Sequence, residues 1–342
     1  MRLAGCASAL LVAAAARASS ISDQITVGAT QATAQNPRAG SISNLLRGTF
    51  ELGERWAFTA DAQITFEEPS GGPSGTPVSF QERGGMVADF SASVDWEATD
   101  NWTLGGTVGF SPRSTTSTVA AVTVIDPSTG RPANAEGLIR VTNDSAYAEL
   151  LAGYDTAGDS NLEWSFTAAV ALNRFETLQR LEAAQLDRGR LILVNEVRAS
   201  AELRSARLSG GATATLFTDT DVSLNLDYYA YADDPTTVGY FSVGGAARTG
   251  STGAGVPIAP LHYLLRPEVA HRFGDFSLKL WGQAGRYMPG TGQGTSGAGL
   301  KAQYRFARWF RVWATLSGQK DVDSSRQSTL SGTFTLGAAY RF

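Results

Sequence analysis

The chain has 342 residues, enough for one large β-barrel or two ordinary domains. Its 28 Lys and Arg stand against 32 Asp and Glu, and a net charge of −4 is too mild to argue for nucleic acid or an acidic partner. Beyond the N-terminus no stretch reaches about 18 consecutive apolar residues, which excludes a transmembrane helix.

The N-terminus reads as a secretory signal peptide over residues 1–18, with 19–342 as the mature barrel domain. Arg2 is a minimal positive region, and Leu10, Leu11, Val12 and Ala13 to Ala16 form a short apolar one. Ala16-Arg17-Ala18 fits a small-x-small cleavage pattern. The alternative is an ordinary Ala-rich helix start. Leu3-Ala4-Gly5-Cys6 mimics a lipoprotein processing box, but no apolar segment precedes Cys6. Removing the leader removes the single cysteine, so no disulfide is expected.

From there the chain alternates with period two, as strands with one apolar and one wet face must. Trp56, Phe58, Ala60, Ala62, Ile64 and Phe66 alternate with Thr59, Asp61, Gln63 and Thr65. Leu162, Trp164, Phe166, Ala168 and Val170 alternate with Glu163, Ser165 and Thr167, and Val222, Leu224, Leu226 and Tyr228 with Ser223, Asn225 and Asp227. The pattern is clearest at the end, where Leu330, Gly332, Phe334, Leu336, Ala338, Tyr340 and Phe342 share one face. Runs of about ten residues suit a tilted barrel strand crossing a bilayer. Short turns join them in pairs at 53–55, 99–101, 158–160, 218–220, 274–275 and 307–308. Longer Gly/Ser/Pro-rich loops are expected at 69–84, 113–143, 233–260 and 289–296.

The pattern predicts an all-β, antiparallel up-and-down barrel of about 14 strands, with short periplasmic turns and long extracellular loops. Losing the weak first strand and one other would leave 12. Trp56, Trp96, Trp102, Phe273, Phe276, Phe306, Phe310, Tyr340 and Phe342 fall at the short-turn rim, where an interfacial aromatic belt belongs. A soluble sandwich or propeller is the competing all-β architecture; the leader, the one-sided loops and the rim aromatics argue against it. Two places break the alternation. Pro267 predicts a local bulge or bend. Residues 177–206 carry apolar residues at helical spacing (Leu178, Leu181 and Ala184, then Val197, Ala201 and Leu203), which reads as a helical lid, a folded-in plug or an exposed loop with a helical turn or two.

With Phe334, Leu336, Ala338, Tyr340 and the terminal Phe342, the chain resembles Gram-negative outer-membrane β-barrel proteins of the porin and transporter kind, without pointing to a subfamily. The resemblance implies that this end is a barrel-insertion signal read by the barrel-assembly machinery, with outer-membrane lipids as surroundings. Fold does not give function.

For chemistry there is little. The only histidines are His262, placed inward near the outer rim, and His271, facing lipid near the inner rim; neither has a recognisable nucleophile nearby. No metal spacing, cofactor motif or phosphate-cradling glycine loop is present, and no enzyme is expected. The inward charges say more. Asp61, Asp89, Asp95, Glu149, Glu163 and Asp227 come early in the chain, and Arg266, Arg272, Lys279, Lys301, Arg305, Arg311 and Arg341 late, with Glu268 the lone acid among them. In chain order around a barrel these would make one acidic and one basic wall, with Asp61, Asp89, Lys279, Lys301 and Arg311 nearest mid-strand. Inward Trp281, Trp313, Tyr229, Tyr231 and Tyr147 would narrow the lumen.

The leading expectation is a pore or passive transporter for small polar solutes in the outer membrane. The alternatives are a structural or partner-binding barrel acting through its outer loops, and a membrane hydrolase.

Overall fold

Alternating strands have one solution in lipid, a ring in which every backbone N–H and C=O finds a partner. The computed structural model describes residues 20–32, 38–67, 86–156, 162–186, 190–232, 261–288, 293–322 and 328–341. The leader expected at 1–18 and the terminal Phe342 lie outside them. The described residues form β1 (Ser20–Ala32), β2 (Arg38–Glu51), β3 (Trp56–Glu67), β4 (Met86–Glu97), β5 (Trp102–Ile125), β6 (Pro132–Asp155), β7 (Leu162–Leu186), β8 (Leu191–Leu216), β9 (Thr220–Tyr231), β10 (Leu261–Phe273), β11 (Phe276–Tyr287), β12 (Gly294–Ala307), β13 (Phe310–Val322) and β14 (Ser328–Arg341). Each strand pairs antiparallel with its chain neighbours, and β1 pairs with β14 from Ser22↔Arg341 to Ala32↔Ser331, closing the barrel.

The outward face defines a lipid band. At the short-turn rim Trp56 stacks on Trp96 at 5.5 Å between centroids, Trp102 packs on Tyr154 at 5.0 Å and Trp309 on Tyr340 at 5.1 Å. Above this girdle stand exposed apolar side chains such as Val108, Leu150, Leu172 and Leu208. The band ends at an outward ion-pair ladder in which Glu202 accepts from Arg174 Nε at 3.0 Å and from Arg204 Nε at 2.9 Å. From Trp164 to Arg174 along a strand tilted by about 40° is roughly 25 Å, the height of an outer-membrane apolar band.

Strands β5 to β8 have 24 to 26 residues, against 12 to 14 in the other ten. The excess corrects two expectations. Residues 113–143 are not a loop but the outer parts of β5 and β6, joined by a turn at 126–131. Residues 177–206 hold no helical lid: β7 and β8 run through them, apart from the short segment between the two strands. The helical spacing of Leu181 and Ala184 comes from a bulge at Glu182, where β7 advances from Leu181 to Ala183 while β6 moves only from Ile139 to Leu138; it adds one residue to a period of two and leaves both side chains fully buried on one face. Pro112 marks where β5 leaves the ring. The β4–β5 ladder stops at Phe90↔Phe110, and Pro112 follows within an irregularity between Ser111 and Ser114, with no N–H for β4.

Above the ring the four long strands curl until their edges meet. Although β5 and β8 are not neighbours in the sheet, Arg198 Nη2 donates to the Thr123 carbonyl at 3.0 Å. Between the two hairpin ends, Arg190 Nη1 donates to Ser128 Oγ at 2.8 Å, and its Nη2 pairs with Asp126. Inside this tip Val124, Ile139, Val141, Leu181, Ala184 and Leu186 form a dry cluster flanked by Val122, Ile192 and Val194.

Pro267 is accommodated differently from the expectation. The β10–β11 ladder skips Arg266 and Pro267 but keeps its register, and the bulge falls instead at His262, between Leu261 and Tyr263.

Two outcomes follow from the tip. Leu181→Ala should weaken it by about 2–4 kcal/mol, read as faster amide exchange in β6 and β7 above Asn143, while the ring keeps its heat-modifiable gel mobility. The Ser128 N–H and hydroxyl, with help from Arg190, bring the Asp126 carboxyl down from 3.8 to about 2. A carboxyl depressed in the folded chain stabilises above its unfolded value and loses that contribution as pH falls through the folded one. Tip amides, corrected for intrinsic rates, should therefore lose protection between about pH 4 and pH 2, and Asp126→Asn should remove this acid step.

Candidate functional site

Fourteen strands about 4.8 Å apart and tilted by about 40° close a ring of roughly 14 Å radius. Wall side chains reach inward by about 6–7 Å at most and cannot fill it, unlike the interior of an eight-stranded barrel. The inner wall is therefore the surface on which function is to be sought.

That wall is polar. Thr213 and Ser223 share a hydrogen bond of 2.9 Å, Asn173 Nδ2 donates to Ser205 Oγ at 3.4 Å, and Gln283 Nε2 donates to Gln319 Oε1 at 3.2 Å. The charges pair along the wall. Arg47 on β2 grips Asp61, its directly paired residue on β3, with Nε–Oδ1 at 2.7 Å and Nη2–Oδ2 at 2.9 Å. Arg207 of β8 reaches Glu149 of β6 across β7, where the residue between them is Ala171, 1% exposed. A larger side chain there would block the pair. Asp227 accepts from Ser209 Oγ at 2.7 Å and from Arg266 Nη2 at 2.5 Å. Asp89 is buried and accepts from Ser111 Oγ. Glu163 and Arg311 are each the second residue of their strands, so Arg311 sits at the short-turn rim rather than mid-strand. Chain order suggested a field between an acidic and a basic wall; pairing of Asp61, Glu149 and Asp227 with neighbouring arginines cancels much of it. Arg207 is absent from the sequence-based set, although its alternation with Ser209, Gly211 and Thr213 carries the signal.

The basic side is organised around β11 to β13. Lys279 and Lys301 are directly opposite each other. Lys279 Nζ is 2.5 Å from Glu268 Oε1, and Lys301 Nζ lies over the Trp313 ring, 5.1 Å from its centroid.

The expectation that inward aromatics narrow the lumen needs correction for three of them, because they lie down. A Cβ on Gly299 would fall 2.1 Å from Trp281 Cζ2, one on Gly337 2.1 Å from Trp313 Cζ2, and one on Gly109 2.2 Å from Tyr147 Cε1. Each ring is flat against the neighbouring strand, over the residue type that leaves room for it. Tyr229 is buried, and Tyr231 Oη donates to the Leu261 carbonyl at 2.8 Å.

The two histidines stand near opposite ends of β10. The bulge turns His262 outward onto Tyr228, at 5.1 Å, rather than into the lumen. His271 Nδ1 shares a 2.7 Å hydrogen bond with Thr220 Oγ1, its directly paired residue, and meets the edge of Phe273. Among the described residues no carboxylate ion-pairs with either ring, and no group of three His, Cys, Asp or Glu is arranged to hold a metal.

No protein-family model and no curated protein sequence matches the chain. Its fold does match solved structures. It is similar to the CymD monoaromatic hydrocarbon channel (10% identity, TM-score 0.54, covering 94% of this chain and 88% of that one). It is similar to a Pseudomonas aeruginosa FadL homologue (13%, 0.51, 94% and 89%) and to the P. putida toluene transporter TodX (13%, 0.50, 94% and 88%). At these identities the likeness is one of fold: a closed fourteen-stranded barrel of the outer-membrane type.

The glycine seats are testable. Gly299→Ala and Gly337→Ala should each force an indole off the wall, seen as a shift in tryptophan emission and easier quenching by acrylamide. Gly210→Ala, where a Cβ meets nothing within 4 Å, should leave both unchanged.

Proposed function

We propose that the chain is an outer-membrane channel through which small polar solutes diffuse. The observation that carries this reading is the inner wall, a ring too wide for its side chains to fill and faced with hydroxyls, amides and lateral ion pairs. Water is stable beside such a surface, whereas an apolar solute gains nothing from it. The apolar band, the rim aromatics and the fold shared with known channels support placement in the outer membrane. Phe334, Leu336 and Tyr340 point outward on the strand that closes the ring. With Phe342 they form the proposed signal for the assembly machinery.

A second reading is a channel for hydrophobic compounds. It is favoured by the printed names of the fold neighbours, which include monoaromatic hydrocarbon channels and a toluene transporter, and by the dry cluster inside the tip.

Transport separates the two. The refolded mature chain in planar bilayers should give steady, ohmic openings, and liposomes carrying it should swell in a pentose solution. Swelling absent while toluene uptake by cells expressing the chain is raised would replace the first reading with the second. A folded, heat-modifiable barrel silent in all three assays would end both and move attention to what the tip binds.

A further inference from the structure

On the inner wall most basic side chains are ion-paired, and among the described residues Lys301, Arg311 and Arg341 are not. Arg47, Arg207, Arg266 and Arg272 each have a carboxylate on the wall, and Arg305 is drawn to Asp275 in the turn, with Nη2–Oδ1 at 3.0 Å. Lys279 on β11, Lys301 on β12 and Arg311 on β13 have a single ion-pair partner among them, Glu268 of β10 beside Lys279, while Asp321 at the far end of β13 accepts from Tyr287 Oη and Gln319 Nε2. Among the described residues neither Lys301 nor Arg311 has a carboxylate within ion-pair distance.

The arrangement is costly when empty. Like charges directly opposite on neighbouring strands destabilise a sheet, and Lys279 and Lys301 are such a pair. Nor is Lys301 free to swing away. Its ammonium is seated over Trp313, which is itself flat over Gly337. A cation held on an aromatic face keeps N–H donors for another acceptor, because the ring supplies no lone pair.

We propose that Lys279, Lys301 and Arg311 form an anion station on the inner wall, taking small solutes that carry carboxylate or phosphate oxygens. This rests on the channel reading and deepens it by naming the solute class. Oxygens between the two ammonium groups relieve their repulsion, and Arg311 extends the positive surface towards the short-turn rim. Glu268 keeps the site from holding its anion too strongly, and a channel site must release what it binds. Across the ring Asp61 and Glu149 are each paired with an arginine, which lowers the negative field facing this station.

Two measurements test it, each on protein that passes the heat-modifiability check. In planar bilayers under a KCl gradient, the reversal potential should show a preference for chloride, and Lys301→Gln/Arg311→Gln should reduce that preference by about threefold or more. In detergent without any membrane, iodide should quench tryptophan emission more than caesium does, inorganic phosphate should suppress the difference, and the double variant should lose it. Conductance with unchanged selectivity in the variant overturns the station and leaves the channel reading standing. A silent barrel that keeps the phosphate-sensitive iodide contrast does the reverse. Absence of that contrast in the unmodified protein overturns the station even if no variant folds.

Discussion

In hydrocarbon an unpaired peptide group has no water to turn to, and the cost of several kcal/mol for each one governs everything else in this chain. A sheet can meet that demand only by having no edge. The eleven paired positions between β1 and β14 are therefore as necessary as any side chain. Closure then dictates alternation, because each strand faces lipid on one side and the enclosed space on the other. The wall aromatics and the ion pairs are answers to the problems that alternation creates.

Inside the ring, polar side chains have no partner across a space this wide and turn to their neighbours along the wall. Hence Arg207 reaches over β7 to Glu149, and Ala171 beneath must be small. The large rings obey the same geometry. Trp281, Trp313 and Tyr147 gain contact by lying on adjacent strands, and Gly299, Gly337 and Gly109 make room for them. Ion pairs held in this lateral way leave a wall that is polar but largely neutral, and local exceptions such as β11 to β13 stand out against it.

The tip obeys another rule. Once Pro112 releases β5 from β4, four strands rise beyond the lipid band with two edges and no ring to close. They curl until Arg198 reaches Thr123, with apolar residues inside and charged ones outside, as in a small soluble domain. This explains why the outer parts of β5 to β8 escaped a reading tuned to lipid-facing strands. Their outward residues include Arg140, Arg174, Glu176 and Glu182 rather than leucine, and their extra residues shift the phase of the pattern near Ser111, Gln179 and Ala183. Leu181 and Ala184, three apart, then imitate a helix.

The one-dimensional pattern by itself determined the barrel, a strand number near fourteen, the short-turn rim and the inward phase of the strands that carry no bulge, because period two records a side chain's face without reference to any partner. Only the tertiary structure decided how those inward residues meet. Whether Asp61 contributes to a field or is neutralised depends on Arg47 standing opposite it. Whether Trp313 blocks the lumen or lies flat depends on a glycine on the next strand. Register between strands is set by pairing across the sheet, and a bulge of one residue, as at His262, reverses a face without leaving a mark in the composition.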